Sequence, residues 1–445
     1  MRLLLRGVRI IDPASSLDEV GDLLIVDGRI AAVGKAKEPS GDGAGAGEAY
    51  DASGLTAVPG LIDAHVHLRQ PGFEHKETIA TGSQSAAAGG FTTIAAMPNT
   101  SPAIDNRAMV EFILTTGALE AEVRVLPVGA MTKAMEGKEM AEIGEMVHAG
   151  AVAVSDDGHP IQNSELMRRI MEYCRMFDLP VLTHCEDKEL TADGVMNEGA
   201  VSTVLGLRGM PAAAEEIVVV RNIALAALSG SRLHLQHVSS AGSVETIRQA
   251  KRRGVNVTCE TCPQYFSLTD EAVNGYNTNA KVNPPLRTTA DVEAVKQGLA
   301  DGTIDIIATD HAPHALEDKQ VEFNAAAFGF VGLETALPLA ITHLVDTGVL
   351  SLPQAIAKMT IGPASILKLE SGTLREGAAA DVTLIDPSVG VVVRASELHS
   401  KSKNTPFDGM KLKGAVIATI CAGKIVSGAE RLAAVGKRAK AGAAR

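Results

Sequence analysis

The sequence contains no tryptophan, and its four tyrosines and nine phenylalanines leave only 3% aromatic residues. Proteins that bind single strands through base-stacking platforms depend on such residues. Positive charge is also scarce, because 41 Lys and Arg face 53 Asp and Glu and give a formal net charge of −12. A surface that neutralises phosphates needs the opposite balance. These two deficits argue against a nucleic-acid-binding protein.

Cysteine is rare as well, with five residues in 445, and no apolar stretch approaches the ~18 residues that a membrane span needs. Five cysteines are too few for a disulfide scaffold, and their odd number fits a reducing compartment. The N-terminal run of three leucines is too short for a signal peptide. The 46% hydrophobic content is ample for a core and excludes general disorder. The composition therefore predicts an acidic, cytoplasmic, globular protein that binds neither nucleic acid nor membrane.

The two ends of the chain share a pattern of short apolar runs separated by turns. Asp27-Gly28 between two such runs predicts a hairpin, and the composition of Ser40–Gly47 is typical of a flexible loop. We predict one small β domain made from residues 1–58 and 369–428, followed by a basic tail, 429–445, that is a solvated helix or is frayed. The runs are Leu3–Leu5, Val8–Ile11, Asp22–Val26, Ile30–Val33, Ala380–Ile385, Val391–Val393 and Val416–Cys421.

Residues 59–368 show a different pattern, in which eight apolar runs of strand length alternate with helical stretches. Near-continuous apolar strands interleaved with helices predict a parallel sheet, and eight such strands close a (β/α)8 TIM barrel. An open doubly wound sheet is the alternative, but no strand is followed by a Gly-x-Gly-x-x-Gly turn. Glycines such as Gly150 and Gly230 are the expected C-terminal helix caps. The predicted strands are Leu61–Leu68, Thr92–Met97, Val123–Val128, Ala151–Ser155, Pro180–Thr183, Arg232–Gln236, Asn256–Cys259 and Ile304–Ala308; the helices include Met109–Leu119, Glu165–Phe177, Ala213–Leu228, Ser243–Arg253 and Ala290–Ala300.

Histidine or aspartate stands at the end of five predicted strands, where a barrel of this kind carries its chemistry. His65 and His67 are two residues apart on one strand, so both side chains point to one side and can bind one ion. The whole set exceeds the needs of one tetrahedral zinc and suits two ions that share a carboxylate and a hydroxide, which is a nucleophile at neutral pH. Asp310 can serve as ligand and proton shuttle. The set comprises His65, His67, Asp156 or Asp157, His184, His237 and Asp310.

A second group of polar residues predicts an anionic substrate. Arg69 and Asn99 follow neighbouring predicted strands, and His314 lies four residues beyond Asp310. An arginine can bind a carboxylate through two hydrogen bonds, and an asparagine can add a donor. Because the net charge of the whole protein repels anions, Arg69 and the metal must provide the attraction locally.

At these positions the sequence resembles the dihydroorotases, a family of cyclic amidohydrolases. The resemblance runs from about residue 3 to residue 427. It implies a metal-dependent (β/α)8 barrel with a small β-sandwich domain formed by both chain ends. The implied reaction is the reversible cyclisation of N-carbamoyl-L-aspartate to L-dihydroorotate and water in pyrimidine synthesis. The motifs are Pro59–Gly72, Gly89–Thr93, Met97–Thr100, Ser155–Gly158, Thr183–Glu186, His237–Ser239, Asn283–Arg287, Thr309–His314 and Ser402–Phe407.

The resemblance also implies residue roles, with two zinc ions per chain bridged by Asp157 and a hydroxide. The pattern of residues alone leaves open one ion or two, and Asp156 or Asp157 as the bridge. The segment 315–327 is expected to be a mobile lid over the site. The implied zinc ligands are His65, His67 and Asp310 for one ion and His184 and His237 for the other. The implied substrate contacts are Arg69, Asn99 and His314 for the carboxylate, and Asn283 with the backbone of Phe328 and Gly329 for the ring.

Two other functions are alternatives to the one that the resemblance implies. Hydantoinases and allantoinases use a carboxylated lysine on the fourth strand, where this chain has Val-Ser-Asp-Asp. A non-catalytic subunit that only supports aspartate transcarbamoylase is expected to lack ligands, whereas all six positions are filled here. An active enzyme can itself form a homo-oligomer or a complex with that transcarbamoylase. Cys259 and Cys262 form a lone CxxC, which we interpret as two structural thiols.

Overall fold

The computed structural model describes residues 1–34 and 47–435. The predicted loop Ser40–Gly47, apart from Gly47, and the tail beyond residue 435 lie outside this range. Within it, no helix combines the length and apolar character that crossing a membrane requires. The strands are β1 (Arg2–Asp12), β2 (Leu17–Val26), β3 (Arg29–Gly34), β4 (Glu48–Asp51), β5 (Thr56–Pro59), β6 (Leu61–Val66), β7 (Phe91–Ala96), β8 (Arg124–Ala130), β9 (Ala153–Ser155), β10 (Val181–Thr183), β11 (Met196–Asn197), β12 (Gly209–Met210), β13 (Leu233–Leu235), β14 (Val257–Thr261), β15 (Ile306–Ile307), β16 (Val382–Val392), β17 (Lys411–Cys421) and β18 (Lys424–Ser427).

The helices connect the barrel strands and end where the sequence predicts. Gly150 and Gly230 both adopt left-handed backbone angles at helix C-termini, which confirms them as caps. Two helices begin two residues earlier than predicted. The side chain of Asn106 accepts a hydrogen bond from the amide of Met109 and starts one helix at Arg107, and the side chain of Ser240 accepts from the amide of Ser243 and starts the other at Ala241. The helices are α1 (Ile79–Ala88), α2 (Arg107–Glu120), α3 (Ile143–Ala149), α4 (Ser164–Met176), α5 (Lys188–Thr191), α6 (Ala200–Leu205), α7 (Ala213–Ser229), α8 (Ala241–Arg252), α9 (Pro263–Ser267), α10 (Thr289–Ala300), α11 (Leu316–Lys319), α12 (Ala336–Ala340), α13 (Leu352–Lys358) and α14 (Ile361–Ile366).

Eight parallel strands form the barrel in the order β6-β7-β8-β9-β10-β13-β14-β15. The ring closes where Val66, at the end of β6, forms a parallel bridge with His311, just after β15. These strands are almost wholly buried because helices cover them outside and side chains fill the interior. All eight carboxyl ends therefore open on one face of the barrel, as the sequence predicts.

The two chain ends form one sheet in the order β18-β17-β16-β5-β1-β2-β3, with β4 beside β1. The predicted hairpin is confirmed, since Asp27 and Gly28 both have positive φ between β2 and β3. Antiparallel pairing of β5 with β16 joins the N-terminal and C-terminal parts. The fold is therefore a (β/α)8 barrel with a small β-sandwich domain built from both ends.

The start of the tail differs from the solvated segment that the composition predicts. Residues 429–435 are helical, and Leu432 is fully buried against the core of the β domain. Burying a leucine side chain contributes about 1.5–3 kcal/mol. Val435 packs against the same core, so Leu432 and Val435 together dock this helix on the β domain.

Candidate metal centre and substrate pocket

The structure brings together all six residues that were predicted to bind metal. They lie at the carboxyl ends of five barrel strands. His65 and His67 lie at the end of β6, and each of the others follows a later strand. The parallel strands deliver them to one place because their carboxyl ends share one face. The others are Asp157 after β9, His184 after β10, His237 after β13 and Asp310 after β15, and all six are buried.

Asp157 lies at the centre of this cluster. Its Oδ2 is 3.4 Å from Nε2 of His65 and 3.3 Å from Nε2 of His67. Its Oδ1 is 3.2 Å from Nε2 of His237 and 3.5 Å from Nδ1 of His184. Burial acts against its charge, but the surrounding imidazoles, His65 foremost, hold the pKa of Asp157 well below its usual range. One carboxylate thus faces all four histidines, the position that a bridging ligand requires.

Asp156 points elsewhere. Its carboxylate accepts hydrogen bonds from the amides of Met131 and Thr132, at 2.6 and 3.2 Å, and from the hydroxyl of Thr132. Burial raises the pKa of Asp156 to about 7 even though these bonds oppose it. The geometry therefore separates the two neighbouring aspartates, which the sequence pattern left as alternatives.

The cluster fits a bound cation. Nε2 of His65, which faces the carboxylates of Asp157 and Asp310, is buried and has no hydrogen-bond partner among the described residues. Nε2 of His65 also lies 3.5 Å from Oδ1 of Asp310, too open for a good hydrogen bond. The ligating atoms of His65, Asp157 and His237 lie within 4.8 Å of one another, and those of His65, His67 and Asp310 do so too. Imidazole and carboxylate ligands in this arrangement suit zinc.

Neighbouring acceptors fix which nitrogen each histidine offers to a cation. Nδ1 of His65 donates to Oε1 of Glu260 at 2.6 Å, and Nδ1 of His67 donates to Oδ1 of Asn99 at 2.8 Å. Both rings therefore turn Nε2 toward the carboxylates of Asp157 and Asp310. Partners of this kind orient metal-binding histidines and raise their basicity.

His184 is held in the opposite sense. Its Nε2 donates to Oε2 of Glu186 at 2.8 Å, which leaves Nδ1 for a cation. Glu186 also accepts from the ammonium of Lys188 and the amide of Asn283, at 2.7 and 2.9 Å. Sequence reasoning missed Glu186, although it follows His184 by two residues at a strand end and so belongs on the same side.

Glu260 was not predicted from the sequence either, because this segment was interpreted only through Cys259 and Cys262. Cys259 and Cys262 are buried and free, whereas Glu260 on β14 points inward. Its second oxygen, Oε2, accepts from Nε2 of His234 at 3.1 Å. Burial opposes the charge, but His65 and His234 hold the pKa of Glu260 below its usual range. Glu260 therefore stays anionic beside the ring of His65.

Glu260→Gln is expected to weaken metal binding about 10- to 100-fold. The amide keeps an acceptor but removes the charge that raises the basicity of His65. The measurement is competition for zinc with a chelator of known affinity. Glu334→Gln is the matched control, because Glu334 also accepts from a histidine, His399, at 2.9 Å but lies outside the cluster. Equal metal affinities for both variants contradict this role for Glu260.

A cavity of about 310 Å³ opens above the cluster and contains every residue that was predicted to contact substrate. Arg69 donates through Nε to the carbonyl of Pro313 at 3.1 Å, which fixes its guanidinium at the cavity wall. Asn99 uses Oδ1 for His67, so its NH2 group remains for a ligand. The predicted substrate-binding residues that line the cavity are Arg69, Asn99, Asn283, His314, Phe328 and Gly329.

Two contacts hold the ring of His314 at the cavity wall. Its Nε2 donates to the carbonyl of Phe328 at 2.8 Å, and its Nδ1 accepts from the ammonium of Lys76 at 3.3 Å. Burial, assisted by the charges of Arg69 and Lys76, lowers the pKa of His314 to about 2. The ring is therefore neutral and ties the backbone at Phe328 to the cavity wall.

Three residues of the site have left-handed backbone angles that non-glycine residues seldom adopt. Arg69, His237 and Asp310 have φ of 63°, 35° and 49°. Such angles store backbone strain and cluster at functional sites. At these strand ends they turn each side chain inward over the barrel mouth.

The barrel, its β-sandwich domain and the clustered strand-end histidines and aspartates define a cyclic amidohydrolase. The dihydroorotase-like family model matches residues 54–243. Over 96% of the chain, the sequence is 55% identical to a dihydroorotase from Pelotomaculum thermopropionicum and 54% identical to one from Pelobacter propionicus, covering 98% and 99% of those proteins. The chain belongs to the dihydroorotase family and is a hydrolase that acts on cyclic amides.

A solved relative has the same architecture. The L-hydantoinase (dihydropyrimidinase) from Arthrobacter aurescens superposes with a TM-score of 0.85 at 27% identity, covering 96% of each chain. A D-hydantoinase gives a TM-score of 0.83 at 24% identity and supports the fold alone. The structural likeness therefore confirms the barrel and its accessory domain, while the sequence relatives show which family the chain belongs to.

Proposed function

We propose that this chain catalyses the reversible ring closure of N-carbamoyl-L-aspartate to L-dihydroorotate and water, a cytoplasmic step of pyrimidine synthesis. The supporting observation is one cavity that holds both the six-residue cluster and Arg69, a cation suited to the substrate carboxylate. Water must add to the ring carbonyl in the hydrolytic direction, and the ring carbon–nitrogen bond must break.

Two zinc ions would complete the proposed site. His65, His67 and Asp310 would hold one, His184 and His237 would hold the other, and Asp157 would be shared between them. When bound, zinc would supply Lewis acidity for the substrate carbonyl and would lower the pKa of bound water to about 7, so that a nucleophile would be available at neutral pH. Six ligand side chains exceed what one tetrahedral ion requires, which favours two ions over one.

The remaining chemistry belongs to side chains of the cavity. Arg69 binds the substrate carboxylate, and Asn99 adds a hydrogen bond from its NH2 group. Asp310 takes the proton from the attacking water and delivers it to the leaving ring nitrogen. Asn283 and the backbone of Phe328 and Gly329 contact the ring and orient its carbonyl.

A hydrolysis assay on the purified, zinc-loaded chain tests this function. Dihydroorotate is expected to be hydrolysed, and hydantoin and allantoin are expected to be poor substrates because neither presents a carboxylate to Arg69. Faster hydrolysis of hydantoin or allantoin indicates the first rival function. Full zinc occupancy without turnover, followed by turnover when aspartate transcarbamoylase is added, indicates that a partner is required.

Arg69→Met is expected to raise KM for dihydroorotate about 10- to 150-fold, since a charged hydrogen bond is worth about 1.5–3 kcal/mol. The change in kcat is expected to be smaller, because the carboxylate is not the reacting group. Steady-state kinetics at constant zinc measures both. Arg208→Met, at an exposed ion pair with Asp193, is the control. An unchanged KM in Arg69→Met rules out the carboxylate contact.

A further inference from the structure

Two buried lysines lie behind the substrate cavity and have no part in the roles assigned above. Lys281 is 2% exposed and Lys319, the last residue of α11, is 3% exposed. Within residues 1–34 and 47–435, neither ammonium group forms an ion pair with a carboxylate; the nearby Asp318 pairs with Lys76. Burying an ammonium group is costly unless hydrogen bonds compensate, so the partners of these two lysines need an explanation.

Most of their partners are backbone carbonyl groups of one short segment, and Nζ of Lys319 also donates to the carbonyl of Lys281 at 3.4 Å. Nζ of Lys281 donates to the carbonyls of Phe323 and Asn324, at 2.8 and 3.0 Å. Nζ of Lys319 donates to the carbonyls of Ala327 and Gly329, at 2.6 and 2.9 Å. We call these two lysines and four carbonyl groups the carbonyl clamp. Burial lowers the pKa of Lys281 to about 8 and that of Lys319 to about 7.

The clamp reaches the cavity through Phe328 and Gly329, which line it. The ammonium of Lys281 lies 4.5 Å from the centre of the Phe328 ring, within cation–π distance. The amide of Gly329 donates to the carbonyl of Lys281 at 2.9 Å. Gly329 has φ of 113°, and a Cβ at this position would lie 2.6 Å from Cβ of Ala312. The segment is thus held close against the cavity wall.

Two further bonds connect the clamped segment to substrate-side residues. The carbonyl of Phe328 accepts from His314, as described above, and the carbonyl of Gly329 accepts from Nδ2 of Asn404 at 3.1 Å. Asn404 in turn accepts from the amide of His314 at 3.1 Å. A shift of this segment would therefore move His314 and the backbone that faces the substrate ring.

We propose that Lys281 and Lys319 are positioning residues, which fix segment 323–329 so that Phe328 and Gly329 present a preformed wall to the substrate. This proposal rests on the proposed function, because the substrate is the dihydroorotate ring. Residues 323–327 belong to the segment 315–327 that was expected to be a mobile lid, and in this proposal the clamp holds them in place instead. Preformed contacts lower the ordering cost of binding, so the clamp acts on substrate binding more than on the chemical step.

The test uses Lys281→Met and Lys319→Met in the zinc-loaded full chain. Each variant is expected to raise KM for dihydroorotate about 10- to 100-fold, the loss expected for charged hydrogen bonds, with kcat changed less than about threefold. Amide hydrogen exchange is expected to accelerate within 323–329, and zinc content is expected to stay unchanged. Lys319→Gln, which retains an N–H donor, is expected to fall between wild type and Lys319→Met, and it remains a test if the methionine variant does not fold.

Lys358→Met is the matched control. Lys358 also donates to a backbone carbonyl, that of Ile304 at 2.6 Å, but it does so at the opposite end of β15. It is expected to leave KM and the exchange of 323–329 unchanged. An unaltered KM in both clamp variants overturns the proposal, and so does a fall in kcat at constant KM. If wild type does not hydrolyse dihydroorotate, the proposed function fails, whereas the exchange measurement still tests the clamp.

Discussion

Asp310→Asn is expected to lower kcat for dihydroorotate hydrolysis about a thousandfold, within the range for loss of a general acid–base group. Oδ1 of Asp310 lies 3.1 Å from Nε2 of His67, at the floor of the cavity. A carboxylate there can accept the proton of attacking water, whereas a carboxamide cannot at neutral pH. In ring closure the same group must start protonated, so that direction is expected to be favoured at lower pH.

The measurement is turnover with metal content determined on the same sample. A carboxamide oxygen can still bind a cation, so the metal is expected to be retained. Asp346→Asn is the control, because Asp346 pairs with Lys413 at 2.7 Å on the far side of the barrel. Normal turnover in Asp310→Asn with the metal bound contradicts the proton-transfer role, and loss of metal together with activity restricts Asp310 to ligation.

Removing metal with a chelator is expected to abolish turnover and to lower the melting temperature, with both restored by zinc. The structure gives the reason, since Nε2 of His65 is buried beside two carboxylates and has no hydrogen-bond partner among the described residues. A ligand that binds only the folded state at 1,000 times its Kd stabilises it by about 4 kcal/mol. Calorimetry and elemental analysis before and after chelation measure the two effects.

The number of ions can be determined in the same experiment. Wild type is expected to bind about two zinc ions per chain, and His184→Ala is expected to bind about one. His148→Ala, which changes an exposed histidine on α3, is the control and is expected to keep both ions. Full activity of wild type with a single ion contradicts the two-ion proposal, and full activity after complete metal removal contradicts metal dependence altogether.

The candidate site was predictable from sequence to the extent that its residues follow strands. In a closed parallel barrel every strand delivers its last side chains to one rim, so identifying the strand before His184 or His237 also placed the residue. The same reasoning failed for Asp156 and Asp157, because alternation breaks down where a strand ends. The structure distinguishes the two, because Asp156 accepts hydrogen bonds from the segment after β8 whereas Asp157 faces the histidines.

Residues that act on other residues across the barrel were not predictable. Glu260 reaches His65 from 195 positions away in sequence, and nothing in the local pattern of β14 indicates which strand lies opposite. Nothing in the sequence around Lys281 and Lys319 distinguishes them from surface lysines. Both are nevertheless buried, and both donate hydrogen bonds to backbone carbonyl groups of segment 323–329. Leu432 is likewise buried, although the composition of the tail predicts a solvated segment.

The sequence by itself determined the barrel, the β domain from both ends and the set of strand-end histidines and aspartates. Each of these depends on periodicity, turn chemistry or position within one element, and such properties are local along the chain. The tertiary structure alone decided which aspartate faces the four histidines, which carboxylates orient their rings and which lysines fix the cavity wall. Those choices depend on strand register and on closure of the barrel, which bring together side chains that no short stretch of sequence relates.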